Sequence, residues 1–473
     1  MFFYFRLVAT TRRPSFTDSP ETVAAQLLEI DVQIECPPLA LGSFLSMRPL
    51  IALLPKQQEK NPHCEEVIEP CSAWLETVAE FPLRASKIPD LVALCYPEVS
   101  QEMLLAALVN ISGLFIYDDY IDKIATHENA TTLLRDQQKE MHLAFANPEE
   151  YRSKSDAQQT KFVKMVSEMG SFLHRALPHG DSLQDVQFAF SGYLDAMVEE
   201  TEIRSDFVKA YSTGNMKSVL SADERHFLRL RSHSSGVEFV FSLCSAFTGF
   251  SLDTSGARRS NLVENVILSC GDAIGVFNDI VTLRKDLVEG LTENLVLIIA
   301  EKTFFSQNPA LTESSTDAIR EYLFYRDLCT VKELEESPSL SEKAANAIQK
   351  KYSIRLDTET LEAFLSQKKA IFIDTVASKF DATGIDFKRD IFEAWIKTLQ
   401  NAIEETTEKY FNKEVVSFYK SIDSCKHAAE STPSRFPPEL FEYFKRLETW
   451  LSGSSWWSID PENKRYNWWT APV

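Results

Sequence analysis

Glycine is scarce, at 14 residues in a chain of 473. Doubly wound nucleotide-binding folds spend glycines on phosphate loops, and neither a G-x-G-x-x-G nor a Walker-type loop occurs here. Histidine and cysteine number eight each and form no C-x-x-C, H-x-x-x-H or H-E-x-x-H pattern, which argues against a zinc site. Most cysteines lie inside apolar stretches such as FSLCSAF and VILSC. They read as buried, reduced thiols, so a reducing, cytoplasmic compartment is expected. Basic residues are outnumbered by acidic ones, 49 against 69, for a net charge of −20. That balance disfavours nucleic acid or an anionic membrane as partner. No apolar run is expected to span a membrane, and there is no fixed-period repeat, low-complexity tract or D-x-D-D motif.

Hydrophobic residues make up 44% and charged residues 25% of the chain, the balance of a globular protein. Periodic Leu, Ala and Phe without glycine-bearing hairpins predicts an all-α fold. Length alone would suggest two or three domains, yet composition shows no seam. Residues 1–55, with Pro14, Pro20, Pro37, Pro38, Pro49 and Pro55, read as an irregular N-terminal extension. Its first stretch, MFFYFRLVATTRRPSF, carries no acid before Asp18. Arg6 breaks the apolar part, which favours a loosely packed leader over a secretory or organelle-targeting one. Residues 56–473 read as one helical domain, with helices over 101–123, 156–178, 183–202, 222–250 and 260–288. Breaks are expected at Pro178–Gly180 and Ser212–Gly214, and Gly290 as a C-cap. The long, charged stretch 300–435 is helical in pattern, and an inserted helical element is expected within 310–390.

Two short stretches carry the chemistry. Asp118-Asp119-Tyr120-Ile121-Asp122 and Asn278-Asp279-Ile280-Val281-Thr282-Leu283-Arg284-Lys285-Asp286 each follow a strongly apolar run. Positions four apart share a helix face, so Asp118 projects with Asp122, and Asn278 with Thr282 and Asp286. Hard oxygen ligands in this arrangement suit Mg²⁺. An acidic cluster on a helix is usually a solvated face, but these begin where apolar segments end. The second stretch also fixes four separate identities. A diphosphate cannot approach a cluster of aspartates unless cations intervene, so the pair points to an enzyme that handles a diphosphate through magnesium.

At these residues the chain resembles the class I terpene synthases of the microbial type. The first stretch is similar to their DDxxD motif. The second is similar to their Asn-Asp-x-x-Ser/Thr-x-x-x-Glu triad, closed here by Asp286, whose arm is one methylene shorter than glutamate. Asn61-Pro62-His63-Cys64-Glu65-Glu66-Val67 with Trp74-Leu75 resembles the family's opening segment. Trp450-x-x-Gly453, Trp457 and Arg465-Tyr466 resemble its closing segment, and Arg231 lies near its diphosphate-sensing arginine.

The resemblance implies a class I terpenoid synthase helical bundle with its active site at the open end. It implies three Mg²⁺ ions, two held by Asp118 with Asp122 and the third by Asn278, Thr282 and Asp286. Asp119, and likewise Asp279, would orient a basic partner, with Asp119 also a candidate metal ligand. Arg231 would sense the diphosphate, with Arg229 as understudy, and Lys285, Arg465 and Tyr466 would complete the grip. Phe115 and Trp457 would line the pocket for a carbocation, with Phe247 and Phe277 as weaker candidates. Gly236 would mark a helix break beside the substrate. The implied partner is an isoprenyl diphosphate, farnesyl diphosphate ahead of geranylgeranyl diphosphate, acting on a monomer or homodimer. Two other readings stand beside it. A chain-elongating prenyl diphosphate synthase would need a second DDxxD, which is missing. A non-catalytic helical scaffold with a decayed site is motivated by Asp286 and the long insertion.

Overall fold

A computed structural model describes residues 59–78, 81, 83–84, 86–124, 130–154, 160–177, 180–213, 217–252, 255–289, 293–309 and 389–460. Among these residues there is no strand. The helices are α1 (Cys64–Val78), α2 (Ile88–Cys95), α3 (Gln101–Ile124), α4 (Ala130–Ala146), α5 (Lys161–Ala176), α6 (Asp181–Thr213), α7 (Glu224–Ser234), α8 (Val237–Thr248), α9 (Asn261–Glu289), α10 (Leu295–Gln307), α11 (Arg389–Glu405), α12 (Lys413–Ser431) and α13 (Pro438–Ser458). The all-α expectation holds throughout the described residues. The extension 1–55, Gly290, the insertion expected within 310–390 and the pair Arg465-Tyr466 lie outside them.

Local signals account for the helix ends. The Ser100 hydroxyl accepts from the Met103 N–H and starts α3. Thr160 does the same for α5 through Val163, and Asp223 for α7 through Arg225 and His226. The stretch 222–250, expected as one helix, is two. Gly236 adopts φ 74°, a left-handed conformation that costs a residue with a Cβ, and it separates α7 from α8. The helix expected over 183–202 runs on to Thr213, because apolar positions such as Phe207 and Ala210 keep it against the core.

The two motif-bearing helices, α3 and α9, are long and apolar and run through the core. Both are long and apolar enough to cross a membrane by length and hydropathy, over Gln101–Asp122 and Asn261–Leu283. This corrects the expectation that no apolar run reaches that length. Protein covers most of both windows, 72% and 89% respectively, which identifies them as core helices here. Around them α6 packs on α4, α7 and α8, while α10 meets α11 and α12 lies along α9. Between α11 and α12 the chain winds as a π-helix over Thr406–Asn412, placing Phe411 on Phe277 of α9 with ring centroids 5.4 Å apart.

Two glycines of the outer helices sit in opposite surroundings. A Cβ on Gly170 of α5 would lie 2.4 Å from the carbonyl oxygen of Phe145 on α4, a backbone atom that cannot swing away. Gly192, inside α6, faces open space. Gly170→Ala is therefore expected to cost about 1–3 kcal/mol through overpacking. Gly192→Ala should stabilise by about 0.5–1 kcal/mol through helix propensity. Urea unfolding of the two variants, followed by circular dichroism, checks both signs.

Candidate metal centre

The first motif closes α3. Asp118, Asp119 and Asp122 each offer a carboxylate oxygen, and the three atoms lie within 4.8 Å of one another. All three are half-buried at the edge of the core, as a site that admits an ion from solution requires. Phe115, one turn earlier on the same face, meets Trp457 of α13 edge-to-face with centroids 6.0 Å apart. The Trp457 indole N–H donates to the Lys87 carbonyl at 2.7 Å, which fixes the ring against the turn before α2. The two aromatics expected to line a pocket thus touch each other. Phe247 packs on Tyr96 at 5.4 Å, and Phe277 on Phe411.

The second motif sits on α9, with Asn278 half-buried and Thr282 and Asp286 buried. The Thr282 hydroxyl donates to Asp286 Oδ2 at 2.7 Å, as one-turn spacing on a helix allows. Asn294, outside the motif, holds this face together. Its amide donates to Asp286 Oδ2 and to the Asp279 carbonyl, both at 2.7 Å. Its own oxygen accepts from the Val296 and Leu297 N–H groups and caps α10. Asp279 turns away from the ligand face. It accepts from the Leu295 N–H and from Arg231 Nε, each at 2.8 Å. The expectation that Asp279 orients a basic partner thus has a partner, Arg231. The side chain of Lys285 lies outside the described residues.

One helix, α6, connects the two motifs. Glu200 accepts from Arg231 Nη1 at 2.9 Å, placing that guanidinium between Glu200 and Asp279. One turn on, Arg204 donates from Nη2 to Asp122 at 3.1 Å and pairs through Nε with Glu293, the residue before Asn294. Tyr193, two turns before Glu200, lies within electrostatic reach of Asp118, Glu200 and Asp122. Burial first and these neighbours second push its hydroxyl well above the ordinary value. For Arg231, burial works against the charge. Asp279, Glu200 and Asp286 together outweigh it and hold its pKa well above the ordinary arginine value. Arg204 is likewise raised, with Glu293, Asp122 and Glu200 overcoming burial.

Arg229 does not share this environment. Its guanidinium makes a two-oxygen contact with Asp272 at 3.0 and 2.9 Å, on another face of α9, and is 44% exposed. Arg231 and Arg229, its expected understudy, thus meet different acids. The approach of α7 to α9 rests on two glycines of α9. A Cβ on Gly271 would meet the Ser232 hydroxyl at 2.5 Å, and one on Gly275 would lie 3.4 Å from the Ser232 nitrogen. Larger residues there would lift Arg231 from Asp279.

The described residues fit hard divalent cations. Their donors are carboxylate, amide and hydroxyl oxygens, and no cysteine or histidine joins them. Of the acids around the two motifs, Asp122 and Glu293 meet Arg204, and Glu200 and Asp279 meet Arg231. The second oxygen of the buried Glu200 carboxylate has no hydrogen-bond partner among the described residues. A bound cation would offset the carboxylates gathered here.

Sequence reasoning missed Glu200, Arg204, Glu293 and Asn294. A signal existed for Asn294, since asparagine directly before the apolar run LVLII is an N-cap pattern. Glu200 and Arg204 share a face by spacing, but which helices they meet depends on the bundle.

Residues 110–316 match the family model described as terpene synthase family 2, C-terminal metal binding. The matched span contains both motifs, and the likeness to terpene synthases read from them is thereby shown. Microbial Terpene synthase-like protein 1 of Selaginella moellendorffii is 25% identical over 226 residues, 46% of this chain. The chain spans 58% of the length of that relative. Among solved structures, an α-eudesmol synthase is 14% identical with a TM-score of 0.42, covering 75% of this chain and 98% of that one. A linalool/nerolidol synthase from Streptomyces clavuligerus, in complex with 2-fluorogeranyl diphosphate, is 13% identical with a TM-score of 0.42. There the coverage is 80% of this chain and 98% of the other.

Asp272 gives a pH prediction outside the ligand set. Burial, opposed by Arg229, raises its carboxyl from 3.8 to about 7. The folded state then holds this proton more tightly than the unfolded chain does. Its contribution to stability is full below the unfolded value, falls as pH rises through the interval up to about 7, and levels above. Relative to Asp272→Asn, the unaltered protein should therefore lose ground between about pH 4 and pH 7. Urea midpoints of the two proteins across that interval read the trend.

Proposed function

We propose that this chain is a Mg²⁺-dependent class I terpene cyclase that ionises an isoprenyl diphosphate and closes the resulting allylic cation into a cyclic terpene. The observation that carries the proposal is that one helix, α6, is tied to both oxygen-bearing motifs. Arg204 meets Asp122 of the first, and Glu200 holds the arginine that meets Asp279 of the second. Two separate solvated faces would need no such connection.

Asp118 and Asp122, with Asp119 beside them, would hold ions from one side, and Asn278, Thr282 and Asp286 from the other, three ions in all. Bound Mg²⁺ supplies the positive charge that stabilises the departing diphosphate. Arg231 keeps its own charge beside the second motif, and its planar fork suits phosphate oxygens. Glu200 and Asp279 orient that guanidinium, so it need not reorganise as charge develops. Lys285 and the Arg465-Tyr466 pair complete the grip by resemblance. On the apolar side, Phe115 and Trp457 present ring faces and edges next to Asp118. Such rings stabilise a cation without trapping it, and Trp457, being buried, helps keep water out. Farnesyl diphosphate is the proposed substrate and geranylgeranyl diphosphate the runner-up.

Incubation with geranyl, farnesyl and geranylgeranyl diphosphates, with Mg²⁺ or EDTA, tests this directly. The expected outcome is a cyclic hydrocarbon or alcohol from farnesyl diphosphate, seen by mass spectrometry only with metal. Folded protein that releases no diphosphate from any of them would favour the scaffold reading. Asn278→Ala should abolish turnover, by at least about 100-fold, and leave the helical circular dichroism unchanged.

A further inference from the structure

Arg204 is a buried cation that no sequence motif marks. Its side chain is 6% exposed and that of Glu293 is 2% exposed, so this pair is shielded from water and from salt. The guanidinium spans two segments far apart in sequence. Nη2 donates to Asp122 Oδ1 at 3.1 Å, at the end of α3, and Nε faces Glu293, directly before the Asn294 cap of α10. Asn294 in turn binds Asp286 and the Asp279 carbonyl on α9. A continuous path thus runs from the first motif through Arg204 and Glu293 to the cap that fixes the second.

We propose that Arg204 is a positioning residue of the metal centre: by gripping Asp122 and Glu293 at once, it sets the first ligand face against the second before any ion arrives. The inference rests on the metal-dependent reading above. A carboxylate has two oxygens, and an arginine on one of them fixes where the other points. The planar fork can serve both carboxylates together, whereas a lysine ammonium on its flexible stem serves them poorly.

Simple electrostatics predicts the opposite effect. A cation beside a metal site repels the incoming ion, so removing Arg204 would tighten metal binding if charge alone mattered. The positioning role predicts weaker binding, and the sign separates the two.

The test is a titration of the full chain with Mn²⁺ in the presence of inorganic diphosphate, read by electron paramagnetic resonance as free Mn²⁺. Thermal unfolding of the metal-free proteins runs beside it. The deciding variant is the double substitution Arg204→Met with Glu293→Gln, which removes the more deeply buried carboxylate partner together with the arginine. Arg204→Lys keeps the charge and carries the same prediction should the double variant not fold. Both are expected to weaken Mn²⁺ binding about 10- to 100-fold while still unfolding cooperatively. Binding within about twofold of the unaltered protein, or tighter, in a folded variant overturns the proposal, because outer partners of ligands normally act on affinity well beyond that. Absence of Mn²⁺ binding by the unaltered protein overturns the metal-dependent reading as well, and so distinguishes the two failures.

Discussion

Everything around the centre of this protein answers to one constraint: too many carboxylates lie close together under too little water. Ionised groups out of water cost several kcal/mol each unless they are paired, about the margin by which a domain is stable. Asp122, Glu200, Asp279 and Glu293 meet that cost with only two arginines, each shared between two acids. Asp286 accepts from a hydroxyl and an amide and lies within electrostatic reach of Arg231. Asp118, Asp119 and Asp122 bring three carboxylate oxygens within 4.8 Å of one another at the end of α3. On the proposed reading, divalent cations offset that concentration of acids and hold a diphosphate.

The helix bundle serves that arrangement. Long apolar α3 and α9 deliver their polar residues only at the end of buried runs, so the acids sit at the rim of the core instead of on a solvated face. Gly271 and Gly275 let α7 come close enough for Arg231 to reach Asp279, and Gly236 ends α7 before it would run past the site. α6 contributes both the acid that holds Arg231 and the arginine that holds Asp122. On the apolar side the contact of Trp457 with Phe115 brings the last described helix against the first motif.

Local patterns carried much of this in the sequence. The ends of α3 and α9 and the helical spacing of their polar residues were legible, because helical periodicity acts within a few turns. The break at Gly236 was legible only as a mark beside the site; the stretch around it still read as one helix, since its apolar period hardly changes across the glycine. Arg204, Glu200 and Glu293 were not legible. Each is an ordinary charged residue on a helix or loop, and its meaning comes from partners tens of residues away. The contacts of Phe247 with Tyr96 and of Phe277 with Phe411 were not legible for the same reason. The membrane-length runs show the converse, since composition cannot tell a core helix from a spanning one until its neighbours are known.

The account stands on the claim that both faces serve the same cluster of ions. Anomalous diffraction from crystals grown with Mn²⁺ and inorganic diphosphate measures that directly. Manganese ions bridged by diphosphate, with Asp118 on one side and Asn278, Thr282 and Asp286 on the other, are the predicted result. Manganese bound to only one face, or elsewhere on the acidic surface, would contradict it.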